Sequence, residues 1–359
     1  LPGKKEQKGT ARLTVQPSAA ASLPPAASSL RPQAFLTGIA IGSRAAYNLG
    51  MAVSRNLPIH VIINPHSGYG GKRLLLADLR HELRAAGYDV VEYTTKAPDD
   101  ATDRARQIAQ QAAAIIVWGG DGTVNEVANG LAGTDVPIIA CPAGTENLLA
   151  KELRVPADAR GVVDVLQHGQ LVSCDVGKVN GHNFLLIIGI GFDGEVVRRL
   201  TAIRTGHISH LSYFWPIWRT FWEHDFPRMR IEADGEVIFD DFGLAFVGNI
   251  SRYAVGLRIC RDAQFDDGML DMVVFRCREQ SALVLHAAWT LLRQHPLKGD
   301  VVYKRFRHAV ITTDKPVPSQ VDGDVGPSTP LDISVQPSRL KLLVPARRTG
   351  WTFWPFTSD

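Results

Sequence analysis

The sequence predicts an α/β domain built on a parallel, Rossmann-like sheet over residues 57–170, followed by a mainly antiparallel, β-rich domain over residues 171–339. Three observations predict it. Between 57 and 170, short apolar, β-branched runs alternate with segments whose apolar residues recur at helical spacing. Three of those runs are followed at once by loops of glycine and small polar residues. Beyond 171, Asn-Gly and Asp-Gly pairs separate short strand-like runs, which is the signal for tight hairpins.

Ile59 to Ile63 reads as the first strand, and Leu75, Leu79, Leu83 and Ala86 follow on one helical face until Gly87. Val90 to Tyr93 is a second strand. Asp99 or Asp100 then caps a helix carrying Ala101, Ala105, Ile108 and Ala112 inward. Ala114 to Trp118 is a third strand, apolar throughout, and Val124, Val127, Ala128 and Leu131 trace the next helix before a fourth strand at Val136 to Cys141. Strands this apolar, separated by helices, imply a sheet covered on both faces.

In the second part, Asn180-Gly181 joins Val172 to Val179 with Phe184 to Ile190, and Asp234-Gly235 joins Arg228 to Ala233 with Glu236 to Phe239. Further strands are expected near Leu244–Val247, Leu270–Phe275, Ala309–Thr313 and Leu331–Val335, with an apolar helix near Ala282–Arg293. The last apolar run, Leu340 to Val344, is expected to return to the first domain, which places residues 340–346 there. Residues 1–56 read as a disordered Ala/Pro/Ser-rich tail and residues 347–359 as an aromatic one.

Composition narrows the class. With 45% hydrophobic and 21% charged residues in a 359-residue chain, a disordered, collagenous or mostly membrane-embedded protein is excluded. A net charge of only +3 argues against nucleic acid as a partner. The charge is uneven: residues 1–56 hold seven Lys/Arg against one acid, Glu6, so the remainder is slightly negative. Such a tail is suited to anionic headgroups or simply to solvent. Cys141, Cys174, Cys260 and Cys277 have no spacing suggestive of zinc or a disulfide framework, and a reducing compartment fits them. The nearest candidate, Ala34 to Val53, is interrupted by Arg44 and Asn48, so no run reaches the ~18 apolar residues expected of a spanning helix.

Chemistry is concentrated in three loops. The first, Asn64-Pro65-His66-Ser67-Gly68-Tyr69-Gly70-Gly71-Lys72, joins a strand to a helix, where glycines let backbone N–H groups approach an anion. It is not a Walker loop, because Arg73 stands where Ser or Thr is required. The second, Gly119-Gly120-Asp121-Gly122-Thr123-Val124-Asn125-Glu126, removes side chains where a large ligand must lie against backbone and sets one carboxylate in the gap. The third is Pro142-Ala143-Gly144-Thr145-Glu146-Asn147. Open parallel sheets bind ligands at the carboxyl ends of their strands, so the three loops are expected to converge.

These loops resemble the diacylglycerol kinase catalytic domain family, which includes bacterial lipid kinases and the sphingosine kinases. Gly189-x-Gly191-Phe192-Asp193, Asp267-Gly268-x-Leu270 and Val321-Asp322-Gly323 extend the resemblance over residues 57–346. What it implies is an ATP-dependent lipid kinase with nucleotide bound between the two domains. By that resemblance Thr95, Gly119, Gly120, Asp121, Gly122, Thr123, Asn125, Glu126, Gly144, Thr145 and Asn147 line the nucleotide, with Asn64 and Lys72 near it. Asp322 would be the base for the acceptor hydroxyl, and Asp121 the carboxylate partner, direct or through water, of the Mg2+ that accompanies ATP. Asp324 stands where the family usually has Glu. A second, structural Mg2+ would take the Asp267 side chain and the carbonyls of Gln264 and Met269.

Diacylglycerol is the expected acceptor; a sphingoid base, ceramide or phosphatidylglycerol, and a nucleotide- or lipid-binding module without catalysis, stay open. Partners are a lipid substrate and a membrane surface, with a homodimer left open, and the expected location is cytoplasmic, at the inner face of the membrane. Arg198, Arg199 and Arg204 could meet an anionic group or form a solvated helix face. Six aromatics lie within Tyr213 to Trp222, and Trp351, Phe353, Trp354 and Phe356 form a second cluster after Arg347-Arg348, the better interfacial candidate.

Overall fold

The computed structural model describes residue 53 and residues 56–67, 72–202 and 218–346. Both the basic tail and the aromatic C-terminal tail lie outside these residues, apart from Val53 and Asn56, as do Arg204 and the aromatics before Trp218. The first half runs β1 (Ile59–Ile63), α1 (Lys72–Ala85), β2 (Val90–Thr94), α2 (Asp100–Ile108), β3 (Ala114–Gly119), α3 (Asp121–Leu131) and β4 (Ile138–Pro142). Strand order is β2-β1-β3-β4 and every pairing is parallel. β1 and β3 are buried at every position because helices cover both faces: α1 packs with α5 (Ala159–His168), and α2 with α3. Two helices were not foreseen. The short α4 (Leu148–Glu152) and α5 follow β4 directly, with the Asp158 carboxylate capping α5 by accepting the Gly161 N–H at 2.8 Å.

The second half contains β5 (Gln170–Val179), β6 (His182–Phe184), β7 (Ile187–Ile190), α6 (Phe192–Ala202), β8 (Arg228–Ala233), β9 (Glu236–Gly248), β10 (Leu270–Arg276), α7 (Gln280–Leu291), β11 (Val301–Phe306), β12 (His308–Thr313), β13 (Ser319–Val321), β14 (Asp324–Val325) and β15 (Leu331–Val344). Two antiparallel sheets face each other. β9 belongs to both: its first half pairs with β8, its second with β7 and β10. Ile188, Ile190, Ala245, Val247, Leu270, Met272 and Val274 point from one sheet towards Met229, Ile231, Ala309, Ile311 and Ile333 of the other. The alternate residues Ile187, Leu244, Phe246, Val273 and Phe275 join the core that continues from the α/β half.

β15 ties the halves together. Its first residues pair with β12, and after an irregularity between Gln336 and Leu340 it lies parallel to β4, with Leu342 opposite Ile138. The segment expected as one strand from Phe184 to Ile190 is two: pairing breaks at Leu185-Leu186. The reason lies in the candidate site, where those two residues spend their N–H groups on a carboxylate.

Candidate active site between the two halves

The strand-end loops of the α/β half lie against one another. The Gly120 N–H donates to Ser67 Oγ (3.2 Å), the Ala143 N–H to the Gly119 carbonyl (3.2 Å), and Asn64 Nδ2 to Thr123 Oγ1 (2.9 Å). Gly120 and Gly144 meet backbone to backbone: a Cβ on Gly144 would stand 2.4 Å from the Gly120 Cα. No side chain larger than hydrogen fits there. Asn147, at φ 50°, stiffens the third loop by accepting the Gly144 N–H at 2.7 Å and donating to the Gly144 carbonyl at 3.0 Å.

Asp121 crosses from the second loop to the third. Its two oxygens accept the backbone N–H groups of Leu148 (2.9 Å) and Leu149 (3.1 Å), so this carboxylate caps α4. Burial raises its pKa, and these two bonds work in the opposite direction. The N-terminus of α3, by contrast, begins at Gly120 with no side-chain cap. A Cβ on Gly122 would meet nothing within 4 Å, Thr145 is exposed, and Thr95 is buried at the end of β2 with its N–H on the Ile63 carbonyl. Two helix N-termini therefore meet at this edge; Asp121 occupies one, and the other is open to an anion.

Glu126 ties two helices together. Its carboxylate accepts the Ala101 N–H (3.2 Å) and its carbonyl the Thr102 hydroxyl (2.9 Å), which binds α3 to the first turn of α2. Burial raises its pKa as well. Asn125 begins a row of carboxamides that sequence reading missed: Asn129 donates to Asn125 (3.4 Å), Asn183 to Asn129 (2.9 Å), and Gln336 to Asn183 (3.4 Å). The row joins α3 to β6 and β15. The spacing of Asn125 and Asn129 by one helical turn is its only sequence trace. Lys72 opens α1, and the glycines before it lie outside the described residues.

The β-rich half contributes Asp322. It sits in the turn between β13 and β14 at φ 51°, followed by Gly323 at φ 92°. Its carboxylate accepts three successive backbone N–H groups, from Leu185 (2.8 Å), Leu186 (2.9 Å) and Ile187 (3.0 Å). Burial lifts its pKa to about 6 in spite of these donors, and the Asp121 charge pushes in the same direction. The charge of the α/β half is thus felt at this acid of the β-rich half. Asp324 is exposed on β14, paired in register with Val321.

Elsewhere in this half, Asp193 is half-buried against Gly189 and accepts a hydrogen bond from the Tyr253 hydroxyl, and desolvation raises its pKa. Arg198 pairs with Glu195, and Arg199 with Glu195 and Glu223, so both are committed within the protein. Asp267 accepts the Met269 N–H (3.0 Å) and pairs with the Arg305 guanidinium. A cation on Asp267, with the carbonyls of Gln264 and Met269, would have to compete with that arginine. Among the described residues no group of three or more His, Cys, Asp or Glu side chains is arranged for a metal ion.

An α/β half whose strand-end loops face an acid from a β-sandwich half defines a two-domain kinase-like fold. Residues 58–179 match the diacylglycerol kinase catalytic domain, and residues 186–344 match the YegS C-terminal NAD kinase beta sandwich-like domain. The chain belongs to the diacylglycerol kinase catalytic domain family, whose curated members it matches over most of their length. It is 30% identical over 304 residues to a diacylglycerol kinase of Mycobacterium tuberculosis, covering 80% of this chain and 95% of that protein. It is 27% identical over 275 residues to a diacylglycerol kinase of Staphylococcus carnosus, covering 75% and 89%. A crystal structure of a diacylglycerol kinase from Bacillus anthracis superimposes with a TM-score of 0.65 at 26% identity, over 84% of this chain and 98% of that one.

Proposed function

We propose that this protein transfers the γ-phosphoryl group of ATP to the free hydroxyl of diacylglycerol. The observation that carries the reading is Asp322, an acid with its pKa near 6 that is held by the Leu185 to Ile187 N–H groups and feels the charge of Asp121 in the second glycine loop. Such a group is ionised at neutral pH, yet basic enough to take a proton. The α3 N-terminus and the backbone of Gly119 to Thr123 suit the phosphates, which approach where side chains are absent. In the step itself the acceptor oxygen forms a bond to the γ-phosphorus, the bond from that phosphorus to the β–γ bridging oxygen breaks, and the hydroxyl proton passes to Asp322. ADP and the phosphorylated lipid leave.

Mg2+ would accompany ATP and neutralise its phosphate charge. Asp121 has lone pairs left beyond the two N–H groups it accepts, so it suits a water-mediated role there while holding α4 in place. A lipid acceptor implies a peripheral location at the membrane; among the described residues no helix is long and apolar enough to cross one.

The test is a parallel assay with labelled ATP on diacylglycerol, a sphingoid base, ceramide, phosphatidylglycerol and NAD. Label on diacylglycerol above the others is the expected result. Label on another lipid would reassign the acceptor, and label on none of the five would overturn the kinase reading.

A further inference from the structure

Helix α7 packs Ala282, Leu283, His286 and Thr290 inward and leaves a row of apolar side chains outward. His286 and Thr290 are buried: His286 Nε2 bonds the Arg276 carbonyl at 3.0 Å and its ring lies 5.1 Å from that of Phe275, while Thr290 Oγ1 donates to the His286 carbonyl. On the opposite side, Val284, Leu285, Ala288, Leu291 and Leu292 fall on one stripe, because residues three, four and seven apart share a face. The four large side chains of that stripe, with Leu297 just beyond, are 50% to 76% exposed. The helix from Gln280 to Leu291 contains no charged residue. A helix apolar on all sides is ordinarily enclosed; this one is enclosed on one side only.

The C-terminal end of the stripe is rich in arginine and lysine, whereas Glu279 precedes the helix and Asp300 lies 3.6 Å from His286 Nε2. Arg293 follows the stripe directly and neighbours Arg258, which also feels Arg252 and Arg154; Glu152, ion-paired with Arg252 at 3.1 Å, is the acid among them. Lys298 stands over the Trp289 ring at 3.5 Å from its centroid. At the other end Gln280 Nε2 donates to the His224 carbonyl at 3.3 Å, tying α7 to the segment that bears the exposed Trp218 and Trp222.

We infer that the outward face of α7 seats on an anionic bilayer, with its leucines in the acyl boundary and the arginine cluster at the headgroups. Apolar side chains rimmed by arginine, lysine and tryptophan are what such a surface selects. A second copy of the chain is the poorer occupant, because a two-fold contact through Leu291 and Leu292 would bring the arginine cluster against its own image. The inference deepens the lipid-kinase reading and rests on it for the identity of the membrane as the site of substrate.

The experiment uses the full chain and the double variant Leu291→Glu/Leu292→Glu, sedimented with vesicles of phosphatidylglycerol and phosphatidylcholine and with phosphatidylcholine alone. The wild type is expected to prefer the anionic vesicles, and the variant to lose at least about tenfold in affinity for them. Both substituted positions are exposed, so the melting temperature stays close to wild type. The pair Arg154→Gln/Arg293→Gln, which leaves the leucines intact, is expected to remove the preference for anionic over neutral vesicles. Turnover on a short-chain diacylglycerol dispersed as monomers is unchanged in both variants. Equal sedimentation of wild type and Leu291→Glu/Leu292→Glu would overturn the inference, and so would a dimer seen by light scattering that this variant dissolves. Vesicle binding that depends on α7 in a protein inactive on every lipid would leave the docking face standing and remove the kinase reading alone.

Discussion

Asp234-Gly235 and Asp322-Gly323 are the same two residues in the same turn. Both aspartates have φ near 50° and both glycines φ near 90°, and each carboxylate gathers backbone N–H groups from a neighbouring segment: Arg307 and His308 for Asp234, Leu185 to Ile187 for Asp322. Asp234 is exposed at the rim of the sandwich. Asp322 is half-buried and within reach of the Asp121 charge, and burial raises its proton affinity. Turn chemistry and site chemistry are therefore not rivals at Asp322: the turn aims the acid, and its placement makes it basic.

The largest effect that separates the two turns is on turnover. Asp322→Asn keeps an oxygen for the Leu186 and Ile187 N–H groups, loses the acceptor for that of Leu185 and removes the basic oxygen, and should lower kcat by roughly 10² to 10⁴-fold with ATP affinity largely kept. A fall in ATP affinity equal to the fall in kcat would mean that Asp322 only holds the structure. Asp234→Asn should change neither.

The pH dependence follows from the same contrast. The Asp322 pKa is raised from 3.8 to about 6, so kcat of the wild type should fall as pH drops through that value. The folded protein also holds this proton more tightly than the unfolded chain does. Asp322 therefore favours folding most at low pH, and that contribution is lost as pH rises from about 4 to about 6. Denaturant melts at several pH values should show that segment flattened in Asp322→Asn. A wild-type rate constant across pH 5 to 7 would sink the assignment.

Of intermediate size is the loop contact. Gly144→Ala forces a methyl group against the Gly120 backbone and should destabilise by about 1–3 kcal/mol, with ATP binding weakened alongside. Thermal melts with and without ATP would read both, and a melt identical to wild type would show that the two loops part easily. Smallest is the control: Asp234→Asn should alter stability by no more than about 0.5 kcal/mol in denaturant titration.

Legibility in the sequence tracked chain distance. The three loops were readable because each is one strand, one turn and one helix start, and parallel neighbours must deliver such turns to the same edge. Glu126 belongs to the same motif, and its bond to the Ala101 N–H of α2 had no local signal, because that partner lies 25 residues away in the chain. The break between β6 and β7 had no local signal, because its cause, Asp322, lies some 136 residues further along the chain. α7 was legible as an apolar helix. Which of its faces would meet solvent depended on what packed against it.

Composition and pattern alone determined the α/β beginning, the hairpins and the glycine-lined edge, for these follow from periodicity, turn chemistry and short motifs that each residue run carries with it. Tertiary structure decided the rest: that Asp121 caps α4, that Asp322 and not Asp234 faces the gap, and that α7 shows its leucines to the outside. The reason is physical. A backbone conformation is set by residues near in the chain, whereas burial, proton affinity and exposure are set by whatever the fold brings near in space.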